Sequence, residues 1–161
     1  MRRLAAVPER QAAFEEEKGI AGLTQPLRSN GRLVYRRPSH LEKITDPPHF
    51  ESIVVDGDRL VIKMGDEQPR SIDLESYPEI GVLVDAVRGT LSGDLASLRR
   101  SYAVRMDGTL ADWRLTLTPT DAKAQRFLRE VTIAGAADEV RIVRFVQANG
   151  DWSVMTIHPA P

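Results

Sequence analysis

The spacing of apolar residues changes period several times along the chain. Pro8 to Lys18 places Ala12, Ala13 and Phe14 among good helix formers, with Pro8 suited to a first turn and Gly19 as a stop, and predicts an N-terminal helix. Beyond Gly19 the period falls to two. Leu33 and Tyr35 alternate with Arg32, Val34 and Arg36; Ile53 and Val55 with Ser52, Val54 and Asp56; Leu60 and Ile62 with Arg59, Val61 and Lys63. Ser29-Asn30-Gly31 and Asp56-Gly57-Asp58 supply turn chemistry, so Leu27 to Leu74 reads as a meander. Pro47-Pro48 is unsuited to a central strand and marks a connection or a sheet edge.

Helical spacing returns at Tyr77 to Leu91, where Ile80, Leu83, Val84 and Val87 form one apolar face. Pro78 stands near the start, Gly89 near the end, and Asp94 is a candidate cap for a short following turn. Strands resume over Tyr102 to Met106, Trp113 to Thr118, Arg126 to Ala134, Glu139 to Gln147 and Trp152 to His158. The separators are Asp107-Gly108, Pro119-Thr120-Asp121, Gly135 and Asn149-Gly150-Asp151. This order predicts a mainly β (α+β) fold: a single curved antiparallel sheet with an N-terminal helix and central helices collected on one side. A sheet of about nine to eleven strands tends to curl. Its concave face must then be filled by a helix or by a ligand.

Composition narrows the function classes. The 161 residues fit a single domain, here 1–161, with residues 1–7 preceding the first predicted element. There is no cysteine, which excludes disulfides, thiolate nucleophiles and Cys-ligated zinc. The 22 basic and 23 acidic residues are interspersed and give a formal charge of -1, so nucleic acid is not an expected partner. No apolar run approaches the roughly 18 residues that span a bilayer. The start MRRLAAVPERQAAF lacks the apolar stretch of a secretory signal, so either the protein is cytoplasmic or a leader has been removed ahead of it.

Candidate chemistry is sparse. His40, His49 and His158 match no metal-ligand spacing, and no metal or other cofactor is expected. The histidines read as exposed loop residues. Ser39-His40 lacks the glycine frame of a nucleophile elbow, although a lipid-ester hydrolase using Ser39, His40 and a distant carboxylate stays open as an alternative, as does a peptide- or protein-interaction domain without transport. Glu15-Glu16-Glu17 reads as a solvated helix face and Asp56-Asp58 as a turn, and no P-loop or dinucleotide fingerprint occurs. Arg36-Arg37 has two readings: a pair of exposed edge arginines, or one arginine whose fork of donors fastens a helix over the sheet. The stripe of the central helix has two as well: permanent core, or a lid that fills a cavity a lipid can occupy in its place.

Between Gly31 and Leu60 the residues resemble the LolA-like periplasmic lipoprotein carrier family. The resemblance rests on Leu33 to Pro38 as a Leu-x-x-x-Arg-Pro strand end, on Leu41 and Pro48, on Ser-Ile-Val-Val-Asp-Gly from Ser52 to Gly57, and on Leu60; Leu117-Thr118-Pro119 is a weaker echo. The family's fold is an unclosed antiparallel barrel covered by helices, around a cavity that receives the acyl chains of lipoproteins. Its lid-fastening arginine falls on Arg37. Leu41-Glu42-Lys43 stands where typical carriers have aromatic residues, and Arg59-Leu60-Val61 where they have tryptophan. Leu-Glu-Lys followed by Thr45 and Pro48 is closer to the LolA-like branch associated with glycolipid or aryl-polyene lipid pathways. The missing cysteine counts against the membrane-anchored acceptor relative.

The resemblance implies a non-enzymatic, monomeric periplasmic carrier of an acylated lipid or lipoprotein, working between an inner-membrane donor transporter and an outer-membrane acceptor. Alternation then nominates Leu33, Tyr35, Ile53, Val55, Leu60, Ile62, Tyr102, Val104, Trp113 and Leu115 as cavity wall. Ile80, Leu83, Val84 and Val87 become the lid and Arg37 its clasp.

Overall fold

A computed structural model describes residues 9–37, 39–92 and 94–159, with the side chains of all of these except 78–80, 82, 83, 91, 92 and 159. Eleven strands form one antiparallel sheet: β1 (Glu9–Gly19), β2 (Leu27–Arg36), β3 (His40–Thr45), β4 (Glu51–Asp56), β5 (Arg59–Met64), β6 (Arg70–Asp73), β7 (Tyr102–Thr109), β8 (Asp112–Pro119), β9 (Leu128–Ala136), β10 (Glu139–Gln147) and β11 (Trp152–Pro159). The spatial order is β6-β5-β4-β3-β2-β1-β11-β10-β9-β8-β7, open at both edges. Apart from β6 and β7, which form the two edges, strands adjacent in sequence pair with each other, and among the described residues β1 with β11 is the one pairing between distant segments.

The first element corrects the expected N-terminal helix. Glu9 to Gly19 is a strand paired on both sides, along β2 and along β11. Its inward positions are Arg10, Ala12, Phe14 and Glu16, whose burial alternates with exposed neighbours. Only one of these four is a large apolar residue. The two-residue period is therefore hidden behind Ala and Glu, which favour helix, and pairing on both edges overrides local propensity.

Between β6 and β7 the chain leaves the sheet through a short 3-10 turn (Leu74–Ser76), then α1 (Pro78–Ser92) and α2 (Leu95–Ser101); α3 (Ala122–Gln125) lies between β8 and β9. α1 and α2 connect one edge strand of the sheet to the other. Asp94 caps α2 as expected, its carboxylate accepting from Ser97 N at 3.0 Å. Gly89 does not end α1, which continues to Ser92. It is instead a point of close approach: a Cβ there would meet Leu98 Cδ2 of α2 at 2.6 Å. Pro47-Pro48 forms the connection from β3 to β4, with a cis peptide bond.

The buried side chains fall into two clusters. The larger includes Phe14, Ala86, Leu98, Trp113, Leu117 and Ile133, and covers β1, β7 to β11, α1 and α2. The smaller is Val55, Leu60 and Leu74, with Leu41, Ile53, Ile62, Ile72 and Val84 packed around it, on β3 to β6, the 3-10 turn and α1. A domain of this size ordinarily shows one contiguous core. Here α1 reaches both clusters, through Ala86 on one side and Val84 on the other.

Candidate functional site: a cavity between two half-cores

A cavity of about 300 Å³ occupies the space between the two clusters. Leu41, Ile53, Val55 and Leu60 wall one side, and Ile133, Val140, Val143, Phe145, Met155 and Ile157 the other. β1 is the seam between them, contributing Arg10, Gln11, Ala12 and Glu16, while β2 contributes Leu33 and Tyr35. α1 roofs the cavity with Val84, Val87 and Thr90; the Thr90 hydroxyl is satisfied within its own helix by donating to Ala86 O at 2.8 Å.

Register explains the composition of the wall. Arg10, Tyr35, Leu41, Val55, Leu60 and Ile72 stand opposite one another in turn from β1 to β6 and make one inward row. The next row is Ala12, Leu33, Lys43, Ile53, Ile62 and Arg70. A methyl group at Ala12, between Arg10 and Phe14, leaves the centre of the seam low. At Gly31, opposite Phe14, an added Cβ would meet the Phe14 ring at 2.9 Å, so that ring closes over the glycine.

Of the ten wall residues expected from alternation, Leu33, Tyr35, Ile53, Val55 and Leu60 line the cavity. Ile62 packs in the smaller cluster. Tyr102, Trp113 and Leu115 are interior to the larger one, with Val104 against it. Burial first, and the Asp85 carboxylate second, raise the Tyr102 hydroxyl above its ordinary pKa. Of the four lid residues, Val84 and Val87 face the cavity, and the side chains of Ile80 and Leu83 lie outside the described residues.

Several polar residues of the site carry no apolar signal and were not expected there. Lys43 Nζ donates to Glu16 Oε1 at 2.8 Å, and Glu16 is only 5 % exposed. The same ammonium lies 5.4 Å from the centroid of the Phe14 ring. At the other end of the seam, the half-buried guanidinium of Arg10 donates to Asp138 O, and its pKa is lowered by burial against the pull of Asp138.

Fastening of α1 is likewise visible. Arg88, near the end of that helix, donates to the carbonyl oxygens of Ser39 (3.4 Å) and Gly57, in the turns after β2 and after β4, and is steadied by Asp85 at 3.1 Å. Arg36 and Arg37 are exposed; Arg36 pairs with Glu9 at 3.7 Å and Glu42 at 3.6 Å, and Arg37 lies in the turn after β2.

His40 opens β3, not a loop, and stands between two carboxylates. Its Nδ1 is 3.2 Å from Asp56 Oδ2, and its Nε2 is 3.2 Å from Glu42 Oε2 without the alignment of a hydrogen bond. Ser39 Oγ donates to Asp56 Oδ1 at 3.4 Å and not to His40. The Ser-to-His hydrogen bond that activates a serine nucleophile is therefore not formed.

Comparison with known proteins places this architecture. No curated protein sequence matches the chain. Among solved structures, a DUF1329 family protein from Desulfovibrio piger matches with a TM-score of 0.53 at 10 % identity, over 97 % of this chain and 86 % of that one. A LolA superfamily protein from Nitrosomonas europaea matches with a TM-score of 0.49 at 12 % identity, over 96 % and 87 % of the two chains. The Pseudomonas aeruginosa MucA/MucB complex matches with a TM-score of 0.47 at 15 % identity, over 97 % of this chain and 53 % of that one. A family model described as outer membrane lipoprotein carrier protein LolA-like matches residues 1–159. The open eleven-stranded sheet and the cavity under α1 thus belong to a member of the LolA-like family.

Proposed function

We propose that the chain is a periplasmic carrier that shields an acyl chain of a lipid or lipoprotein in the cavity under α1 and passes it towards the outer membrane or an export system. The observation that carries this reading is the split core: an apolar space between two half-cores, roofed by a helix that touches both. Each buried CH₂ of an acyl chain gains about 0.8 kcal/mol. An apolar cavity of about 150 Å³ takes one benzene. On that scale the present cavity takes on the order of ten carbon atoms, so part of one chain fits beneath the closed helix and a longer or second chain requires α1 to lift.

Release is as necessary as uptake, and a lid that competes with cargo provides it. In this reading Ile80, Leu83, Val84 and Val87 cover the cavity when it is empty, and Arg37 and Arg88 hold α1 to the turns of the sheet. A donor transporter in the inner membrane and an acceptor at the outer membrane complete the route, with the carrier working as a monomer and without catalysis. Native mass spectrometry of freshly purified protein tests this. Co-purified adducts of lipid mass, lost on mild delipidation, are expected; protein that is bare and also takes up no added fatty acid contradicts it.

A further inference from the structure

The cavity wall is hydrocarbon over most of its extent, but one corner holds a polar group with nothing to bind. Tyr35 is 2 % exposed and lines the cavity, and its Oη is buried without a hydrogen-bond partner among the described residues. Buried hydroxyls ordinarily find a partner, because burial without one costs desolvation with no return. Directly opposite Tyr35 across the β1–β2 pairing is Arg10, which lines the same cavity and carries a permanent charge and five donors. Arg37 and Arg88 add their fields at the same hydroxyl, and together with Arg10 oppose the rise in its pKa that burial causes. Against these three cations stand Asp138 and Glu139 beside Arg10, and Asp85 beside Arg88.

A wholly hydrocarbon ligand leaves the Tyr35 hydroxyl unmet and brings nothing to the guanidinium. A ligand ending in an oxyanion accepts from both, and such charge-assisted hydrogen bonds are the stronger kind. We propose that the cargo is an acyl ligand with a phosphate or carboxylate head, the head seated at the Arg10–Tyr35 corner and the chain running over Leu33, Ile53 and Val140. This rests on the acyl-carrier reading above and specifies the chemical class of its ligand.

Calorimetric titration with two matched pairs tests it: palmitoyl lysophosphatidate against monopalmitoylglycerol, and palmitate against hexadecanol, with inorganic phosphate as a control. At least one acidic ligand is expected to bind about tenfold or more tightly than its neutral partner, and Tyr35→Phe and Arg10→Gln are each expected to bring that ratio towards one. Equal affinities within both pairs, at measurable neutral binding, overturn the head-group site and leave the acyl carrier standing. A preference that survives both substitutions also overturns it. Binding of inorganic phosphate alone, with no chain-bearing ligand bound, shows a free-anion site and overturns it. Absence of binding by every ligand overturns both readings.

Discussion

Lys43 and Glu16 form a 2.8 Å ion pair across β2, the strand that lies between theirs, on the inner face of the sheet. Glu16 is almost fully buried, and its other cation, Lys18, is more distant at 3.8 Å. Breaking such a pair from one side strands a charge in the interior, whereas replacing both partners with apolar groups of similar size is close to neutral. Lys43→Met is therefore expected to lower the free energy of unfolding by about 3 kcal/mol, and Lys43→Met combined with Glu16→Leu to return to within about 1 kcal/mol of the parent. Urea denaturation of the parent and the two variants measures this. Equal losses in the single and double variants would contradict a stranded Glu16 charge as the source of the loss.

Ala12 marks the low centre of the seam. Ala12→Leu is expected to fill empty space, raising stability by about 0.5–2 kcal/mol while weakening fatty-acid binding at least about tenfold. A packed site responds in the opposite sense, since overpacking costs about 1–3 kcal/mol. Thermal denaturation and titration with a fluorescent fatty acid distinguish the two.

Arg88 ties α1 to two turns through charged donors on neutral carbonyls, each worth about 1.5–3 kcal/mol. Arg88→Ala is expected to speed amide exchange in α1 by roughly 10–100-fold and to leave β8 and β9 unchanged, because local opening and global unfolding are separate events. Arg37→Leu, made in parallel, measures the contribution of the arginine of the Arg-Pro pair. Exchange in α1 that is indifferent to Arg88→Ala removes the tether.

Tyr35→Phe deletes a buried hydroxyl that makes no hydrogen bond among the described residues. Empty protein is expected to gain about 1 kcal/mol in stability from this change, because an unmet polar group disappears and the ring stays. A loss of similar size, read from the urea midpoint, would mean that the hydroxyl is partnered in solution.

Much of this was legible from alternation. The period-two runs at Leu33/Tyr35, Ile53/Val55 and Leu60/Ile62 put the correct faces inward, and the helical stripe at Val84/Val87 lies over them. The runs at Tyr102/Val104 and Trp113/Leu115 also gave the correct face, but periodicity does not say where along a curled sheet the packed interior ends and the cavity begins. Those residues lie on β7 and β8 in the larger cluster. β1 carries a helical signal because Ala12 and Glu16, at its inward positions, have helix propensity and no apolar alternation. Arg10, Glu16 and Lys43 were invisible as cavity residues for the same reason: nothing local distinguishes an inward charge from a solvated one until the pairing partners are known. The β9 to β11 half of the wall, from Ile133 to Ile157, fell outside the stretch that carries the family resemblance.

The central claim is that the space between the two half-cores receives an acyl chain. Photolabelling with a diazirine-bearing palmitate analogue, followed by mass-spectrometric mapping, tests it most directly. The account predicts labels on Leu33, Ile53 and Val140 or their immediate neighbours, suppressed by excess unlabelled palmitate and by Ala12→Leu. Labels confined to exposed apolar residues such as Leu110 and Ile142, or labelling that unlabelled palmitate does not suppress, would contradict it.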